Sequence, residues 1–229
     1  RVYFVDTGGG NFVIERDGKI VRLEGPAFHW FALDPQNRFR ATRWPSLPNA
    51  EFRSAGTNPT LVLSSDFPVA IGTDGRFYFP QRVAGDRIRI VGIPPSGAGA
   101  VFATLPPVLS GGRAVPWLNG LVAGPRGGLY YTEDRAVKRI DPKGRVSTVA
   151  ANVTVPNCTA IPGIGPEQRP YLRGLAIAAD GSIYVAASGC GALLKIDPKG
   201  KSSVVLTTTA PWSPTAVAIA NGEVYVLEY

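Results

Sequence analysis

The sequence predicts an all-β fold assembled from repeated four-stranded antiparallel units, and three observations carry that prediction. No stretch holds apolar residues at the i, i+3, i+4, i+7 spacing of an amphipathic helix. Short runs rich in Val, Ile, Tyr and Phe instead alternate with Gly, Pro, Asp and Asn. Glycine and proline supply 27 and 21 of the 229 residues, a share that demands many turns yet stays below that of low-complexity disorder. Finally, the chain repeats itself. Asn119-Gly-Leu-Val-Ala-Gly-Pro-Arg-Gly-Gly-Leu-Tyr130 aligns with Arg173-Gly-Leu-Ala-Ile-Ala-Ala-Asp-Gly-Ser-Ile-Tyr184. The same spacing of 11 positions recurs from Phe67 to Tyr78 and from Pro214 to Tyr225, with a weaker copy from His29 to Arg40.

Each unit reads in order as a start residue, a small apolar strand, a Gly turn, a Tyr-containing strand and a loop. There follow an Ile strand, a tight turn and a Val-rich strand. The tight turn is Ile-Asp-Pro-Lys-Gly at Ile140 and Ile196, degraded to Ile-Pro-Pro-Ser-Gly at Ile93 and Ile-Glu-Arg-Asp-Gly at Ile14. Start residues fall at 29, 67, 119, 173 and 214, giving periods of 38, 52, 54 and 41. One such meander is too thin to bury its own faces, and radial stacking of neighbours into a β-propeller meets that need. Val2-Tyr3-Phe4-Val5 matches the Tyr strand of a further unit. Five visible starts and one preceding start predict a six-bladed propeller, with seven blades as the alternative, truncated at both ends. The blades are expected at about 1–25 (partial), 28–64, 66–107, 117–150, 172–208 and 213–229 (partial), within a single domain spanning 1–229.

Composition excludes several kinds of chemistry. One His and two Cys cannot build Cys₄ or Cys₂His₂ zinc sites, an HExxH site or a di-iron bundle, so any metal would be held by oxygen ligands. No apolar run reaches the roughly 18 residues of a membrane span. The net charge of +7 is scattered over turns without a dense basic run, which argues against nucleic acid and for a mild attraction of small anions. A monomer is expected.

The frames resemble the NHL-type and senescence-marker-protein/gluconolactonase group of six-bladed propellers, which includes strictosidine-synthase-like members. The resemblance is carried by Asn119-Gly120-Leu121, by Leu129-Tyr130-Tyr131-Thr132-Glu133-Asp134 and by the Ile-Asp-Pro-x-Gly turns. It implies a divalent cation (Ca, Mn or Zn) on the propeller axis, held by a Glu of the first blade, the Asn of an Asn-Gly-Leu segment and an Asp one blade later. Asn119 matches that Asn and is the candidate metal ligand, whereas Arg173 stands where the Asp would be.

Meander logic places the candidate site. Calling the strands of a blade A to D, the starts of A and the B–C turns share one face, with the A starts ringing the axis. The ring comprises His29, Phe67, Asn119, Arg173 and Pro214, and the B–C turns add Glu133, Asp134 and Cys190. Asn119 reads either as an oxygen ligand to a cation or hydroxyl, or as an amide capping its strand. The planar fork of Arg173 suits a carboxylate, sulfate or phosphate, or else pairs with Asp66 or Glu133. His29 reads as a general base or as a packed histidine between Phe28 and Trp30. Asp66 reads as ligand, base or backbone cap, and Glu133 as ligand or base, while Glu133 and Asp134 also read as solvated turn residues. Cys158 and Cys190 fall on one face and are candidates for a disulfide, which would imply an oxidising compartment and favour a secreted or periplasmic protein. Two functions follow. One is a scaffold that binds a small, anionic ligand or a peptide at the axial face. The other is a metal-dependent hydrolase of lactones or small esters, with Asp66 or Glu133 as catalytic base. Whether the protein is an enzyme stays open at this level.

Overall fold

Turn chemistry sets the strand boundaries. Asp141 Oδ1 accepts the backbone N–H groups of Lys143 at 2.8 Å and Arg145 at 3.0 Å, and Asp197 Oδ1 accepts those of Lys199 and Lys201, both at 2.9 Å. The glycines closing these turns, Gly144 and Gly200, sit at φ +80° and +86°, where a Cβ is strained. A Cβ would also collide with the Phe102 carbonyl at Gly144 and approach the Val149 carbonyl to 2.6 Å at Gly200. Each turn thus leans on the last strand of the preceding blade, so the Asp-Pro-Lys-Gly signature encodes both a turn and a blade contact.

The computed structural model describes residues 2–6, 10–23, 30–33, 39–43, 61–64, 68–84, 87–95, 98–110, 113–115, 118–158 and 169–228. The first sheet comprises β1 (Val2–Asp6), β2 (Gly10–Ile14) and β3 (Ile20–Leu23). The second comprises β4 (Trp30–Leu33), β5 (Phe39–Arg43) and β6 (Leu61–Ser64). A four-stranded meander follows: β7 (Ala70–Ile71), β8 (Phe77–Val83), β9 (Arg87–Ile93) and β10 (Ala100–Thr104). A hairpin of β11 (Val108–Ser110) and β12 (Arg113–Val115) precedes the meander β13 (Gly120–Ala123), β14 (Leu129–Thr132), β15 (Val137–Ile140) and β16 (Val146–Ala150). The next meander is β17 (Leu172–Ile177), β18 (Ile183–Ala187), β19 (Ala192–Ile196) and β20 (Ser202–Thr207), and β21 (Pro214–Ala220) pairs with β22 (Glu223–Glu228). The only helical element among the described residues is a 3₁₀ turn at Ser188–Cys190.

The first strands β4, β7, β13, β17 and β21 lie side by side in chain order, which is the radial stacking of a propeller. The count of six blades, or seven, is not what the sheets show: among the described residues three sheets are complete four-stranded blades. The second unit is the clearest departure, because β5 and β6 pair in parallel. A meander joins neighbours antiparallel, whereas a parallel pair needs a longer crossover, and the connection from 44 to 60 lies outside the described residues. The hairpin at 108–115 was not expected from the repeat.

Two apolar clusters fill the spaces between blades. Ile90, Leu129, Tyr131 and Ile140 belong to the cluster joining the β7–β10 and β13–β16 blades. Val137, Leu172, Val185, Leu194 and Ile196 belong to the one joining the β13–β16 and β17–β20 blades. All nine are essentially free of solvent, and full burial of side chains of this size is worth about 1.5–3 kcal/mol each.

Candidate functional site

The signature start residue–Gly–Leu is explained by how closely successive inner strands approach. A Cβ on Gly120 would stand 2.5 Å from the carbonyl oxygen of Arg173, and one on Gly174 would stand 2.9 Å from that of Thr215. Glycine is therefore required at these two positions, where one inner strand passes the start of the next. The pairing of β17 with β18 shifts register between Leu172 and Leu175, so Arg173 and Gly174 form an irregularity of the kind that re-aims a side chain.

Around this contact the structure brings together Asn119, Thr132, Asp134 and Arg173. The Asn119 side-chain amide donates to the Leu172 carbonyl at 2.8 Å, and the Thr132 hydroxyl donates to the Arg173 carbonyl at 2.7 Å. The Leu172 N–H donates to the Asp134 carbonyl at 3.0 Å. Asn119 thus ties two blades together through Nδ2, which leaves Oδ1 as the atom available to a hydroxyl or a cation. The Arg173 guanidinium lies 5.7 Å from the centre of the Tyr171 ring, within cation–π range. Among the described residues it forms no ion pair, and in particular it does not pair with Glu133.

Glu133 instead meets Lys138, with Oε2 3.7 Å from Nζ, and its other oxygen accepts from the Tyr131 hydroxyl at 3.5 Å. Tyr131 is fully buried and Glu133 nearly so. Burial raises the Glu133 pKa above the ordinary carboxylate value, opposed by the charge and hydrogen bond of Lys138. Burial likewise pushes the Tyr131 phenol up. Asp134 is also buried; its Oδ2 pairs with the Arg169 guanidinium, while Oδ1 has no hydrogen-bond partner among the described residues. The reading of Glu133 and Asp134 as solvated turn residues is therefore corrected: the corner between β14 and β15 is covered by the connection into β17. Tyr131, next to Glu133, is part of the buried core, so this corner turns inward.

Cys158 and Cys190 form a disulfide with Cα atoms 4.9 Å apart. It fastens the connection after β16 to the corner between β18 and β19. At that corner the Ser188 hydroxyl donates to the Pro214 carbonyl, and the Ser213 hydroxyl donates to the Ser188 carbonyl at 2.6 Å. His29 and Asp66 lie outside the described residues. Sequence reasoning did not single out Tyr171, Arg169 or Lys138. Tyr171 had a signal: it stands two residues before a start residue, as do Trp117 and Trp212 in the neighbouring units. Lys138 and Arg169 had none, because their partners follow from cross-strand register and loop placement.

Neither a family model nor a curated protein matches the chain. Solved structures do. A virginiamycin B lyase from Staphylococcus aureus, solved with quinupristin, is 14% identical with a TM-score of 0.59, over 96% of this chain and 70% of the lyase chain. A gluconolactonase from Xanthomonas campestris is 16% identical with a TM-score of 0.62, over 96% of this chain and 76% of its own. An auxiliary nutrient binding protein from Bacteroides thetaiotaomicron is 13% identical with a TM-score of 0.64, over 94% of this chain and 60% of its own. The chain shares their β-propeller fold. Likeness at these identities speaks for architecture, since propellers of one shape carry unrelated activities.

A divalent cation fits the described residues poorly. Among them no three His, Cys, Asp or Glu side chains gather as a ligand group, and a permanent guanidinium occupies the position of the resemblance's aspartate. Among the described residues no helix is long and apolar enough to cross a membrane.

Proposed function

We propose that the end of the propeller where the inner strands start binds a small anionic ligand, with Arg173 as the group that holds the anion. The observation that supports this most is the state of Arg173. It is half-buried at an inner-strand start and stacked against Tyr171, and no carboxylate among the described residues neutralises it. A guanidinium placed this way offers a planar fork to a carboxylate, sulfate or phosphate, and partial desolvation strengthens the bond. Asn119 Oδ1 would accept from a ligand hydroxyl, and the overall positive charge favours the approach of anions. A peptide ending in a carboxylate has the same chemistry and would occupy the same group. The nutrient-binding neighbour is compatible with a ligand-holding role.

Isothermal titration calorimetry with D-gluconate and with sulfate at low salt tests the reading. Arg173→Ala is expected to weaken binding by about tenfold or more, since hydrogen bonds to charged groups are worth about 1.5–3 kcal/mol. Arg173→Lys, which keeps the charge and loses the fork, is expected to recover part of it. Equal affinity in wild type and Arg173→Ala would overturn the assignment.

A second reading, hydrolysis of lactones or small esters, draws support from Glu133. Burial raises the pKa of this carboxyl, the direction that suits a general acid or base. Turnover of a lactone panel that Glu133→Gln abolishes would favour it, and turnover unaffected by that change would dismiss Glu133. Asp66, the other carboxylate proposed for this role, lies outside the described residues.

A further inference from the structure

Resting on the reading of Arg173 as the anion-holding group, we infer that the ion pair between buried Asp134 and part-exposed Arg169 is its positioning device. The segment Arg169–Leu172 is held from both sides. On one side Asp134 takes it twice, through Oδ2 with the Arg169 guanidinium and through its carbonyl with the Leu172 N–H at 3.0 Å. On the other side the Gly189 N–H donates to the Pro170 carbonyl at 2.9 Å, and the approach is so close that a Cβ on Gly189 would collide with the Arg169 carbonyl.

Between these clamps Tyr171 is forced to φ +45°, a left-handed conformation unfavourable for a residue with a side chain. That conformation carries the ring to the place where the Arg173 guanidinium stacks on it. The arrangement is costly in two ways, a strained tyrosine and a buried carboxylate with one oxygen unpartnered among the described residues. The equivalent corner of the next unit has Ala187 and Ser188 at the positions of Glu133 and Asp134. Among the described residues its hydrogen bonds to the following inner strand come from the hydroxyl groups of Ser188 and Ser213. Blade packing therefore does not require an acid at this position. What Asp134 adds is a hold on Arg169, and through the three residues that follow it a fixed bearing for Arg173.

The test measures sulfate and D-gluconate affinity for Arg169→Ala, Arg169→Lys and Arg173→Ala, beside the thermal midpoint and the Arg173 Nε–H NMR resonance. Ring-current shielding by Tyr171, 5.7 Å from the guanidinium carbon, is expected to displace that resonance in the wild type. Arg169→Ala is expected to weaken binding about tenfold, the scale on which changes remote from a ligand act, and to return the resonance toward its unshielded position. Arg169→Lys, which preserves a charge partner for Asp134, is expected to restore much of both. Should the ion pair prove necessary for folding, Gly189→Ala displaces the same segment from the opposite side and is expected to move the same two readouts. If Arg173→Ala abolishes binding while Arg169→Ala changes neither affinity nor resonance, the positioning role is wrong and the anion site stands. If Arg173→Ala has no effect, the anion site itself is wrong.

Discussion

The corner between β14 and β15 and the corner between β18 and β19 occupy the same place in successive units, yet they reach the next inner strand by different chemistry. In both, the carbonyl of the residue at the inner-strand start accepts a side-chain hydroxyl: Arg173 from Thr132, and Pro214 from Ser188. The corner's own carbonyl also accepts in both: Asp134 from the Leu172 N–H, and Ser188 from the Ser213 hydroxyl. The repeat thus conserves the position of backbone acceptors and leaves the donors interchangeable, because a hydrogen bond depends on where the oxygen lies and on any N–H or O–H that reaches it. The first corner buries Glu133 and Asp134, while the second is neutral and fastened by a disulfide. Buried charge is expensive, and the neutral corner shows that the architecture manages without it. The charges therefore belong to what the first corner does rather than to how it folds.

The two fastenings supply the largest expected contrast. Replacing both Cys158 and Cys190 with Ser opens a loop of 32 residues and is expected to cost about 3–4 kcal/mol on chain-entropy grounds. Urea unfolding should show this, and a loss below about 1 kcal/mol would mean that the connection is held chiefly by the corner at Asp134. Next come the inner-strand glycines. Gly120→Ala and Gly174→Ala each force a methyl against the backbone of the following strand and are expected to cost about 1–3 kcal/mol. Similar losses at both sites would sharpen the equivalence of the units, and a neutral result at either would break it.

Smaller effects separate the donors. Thr132→Val and Ser188→Ala each leave a carbonyl short of its hydroxyl partner, at an expected cost of about 1–2 kcal/mol in chemical denaturation. The smallest expected effect is a pH dependence confined to the charged corner. The Glu133 pKa is raised on folding, so the unfolded chain releases this proton first as pH climbs from 4.5. Stability contributed at this site is thus greatest below 4.5 and declines as pH rises through the folded-state value. Glu133→Gln should flatten that decline when unfolding is followed between pH 4 and 7. An unchanged slope would show that Lys138 compensates the burial fully.

Much of the fold was legible because it depends on local rules. The Asp-Pro-Lys-Gly turns at 141–144 and 197–200 announce themselves by residue type, and so do Gly120 and Gly174, whose absence of a side chain is the only way for two backbones to pass so closely. The disulfide was legible from topology, since two cysteines placed at one end of a meander can meet. The site was legible only in its roster. Asn119 and Arg173 stand at start residues, but nothing in the chain says that Arg173 stacks on Tyr171 rather than pairing with Glu133, or that Glu133 finds Lys138. Partner choice among charged side chains depends on which strands lie in register and on which loop covers which corner.

The amino-acid sequence by itself determined the strand pattern, the turns, the repeat and the end of the propeller on which polar residues collect, because periodicity and turn stereochemistry act over a few residues. Tertiary structure alone decided how many strands each sheet contains, that β5 and β6 pair in parallel, and that Glu133 and Asp134 are buried. It alone decided, too, that Arg173 is left without a carboxylate among the described residues. These outcomes are set by contacts between segments tens of residues apart, and whether a charge is solvated, paired or left open depends on the neighbours those contacts bring.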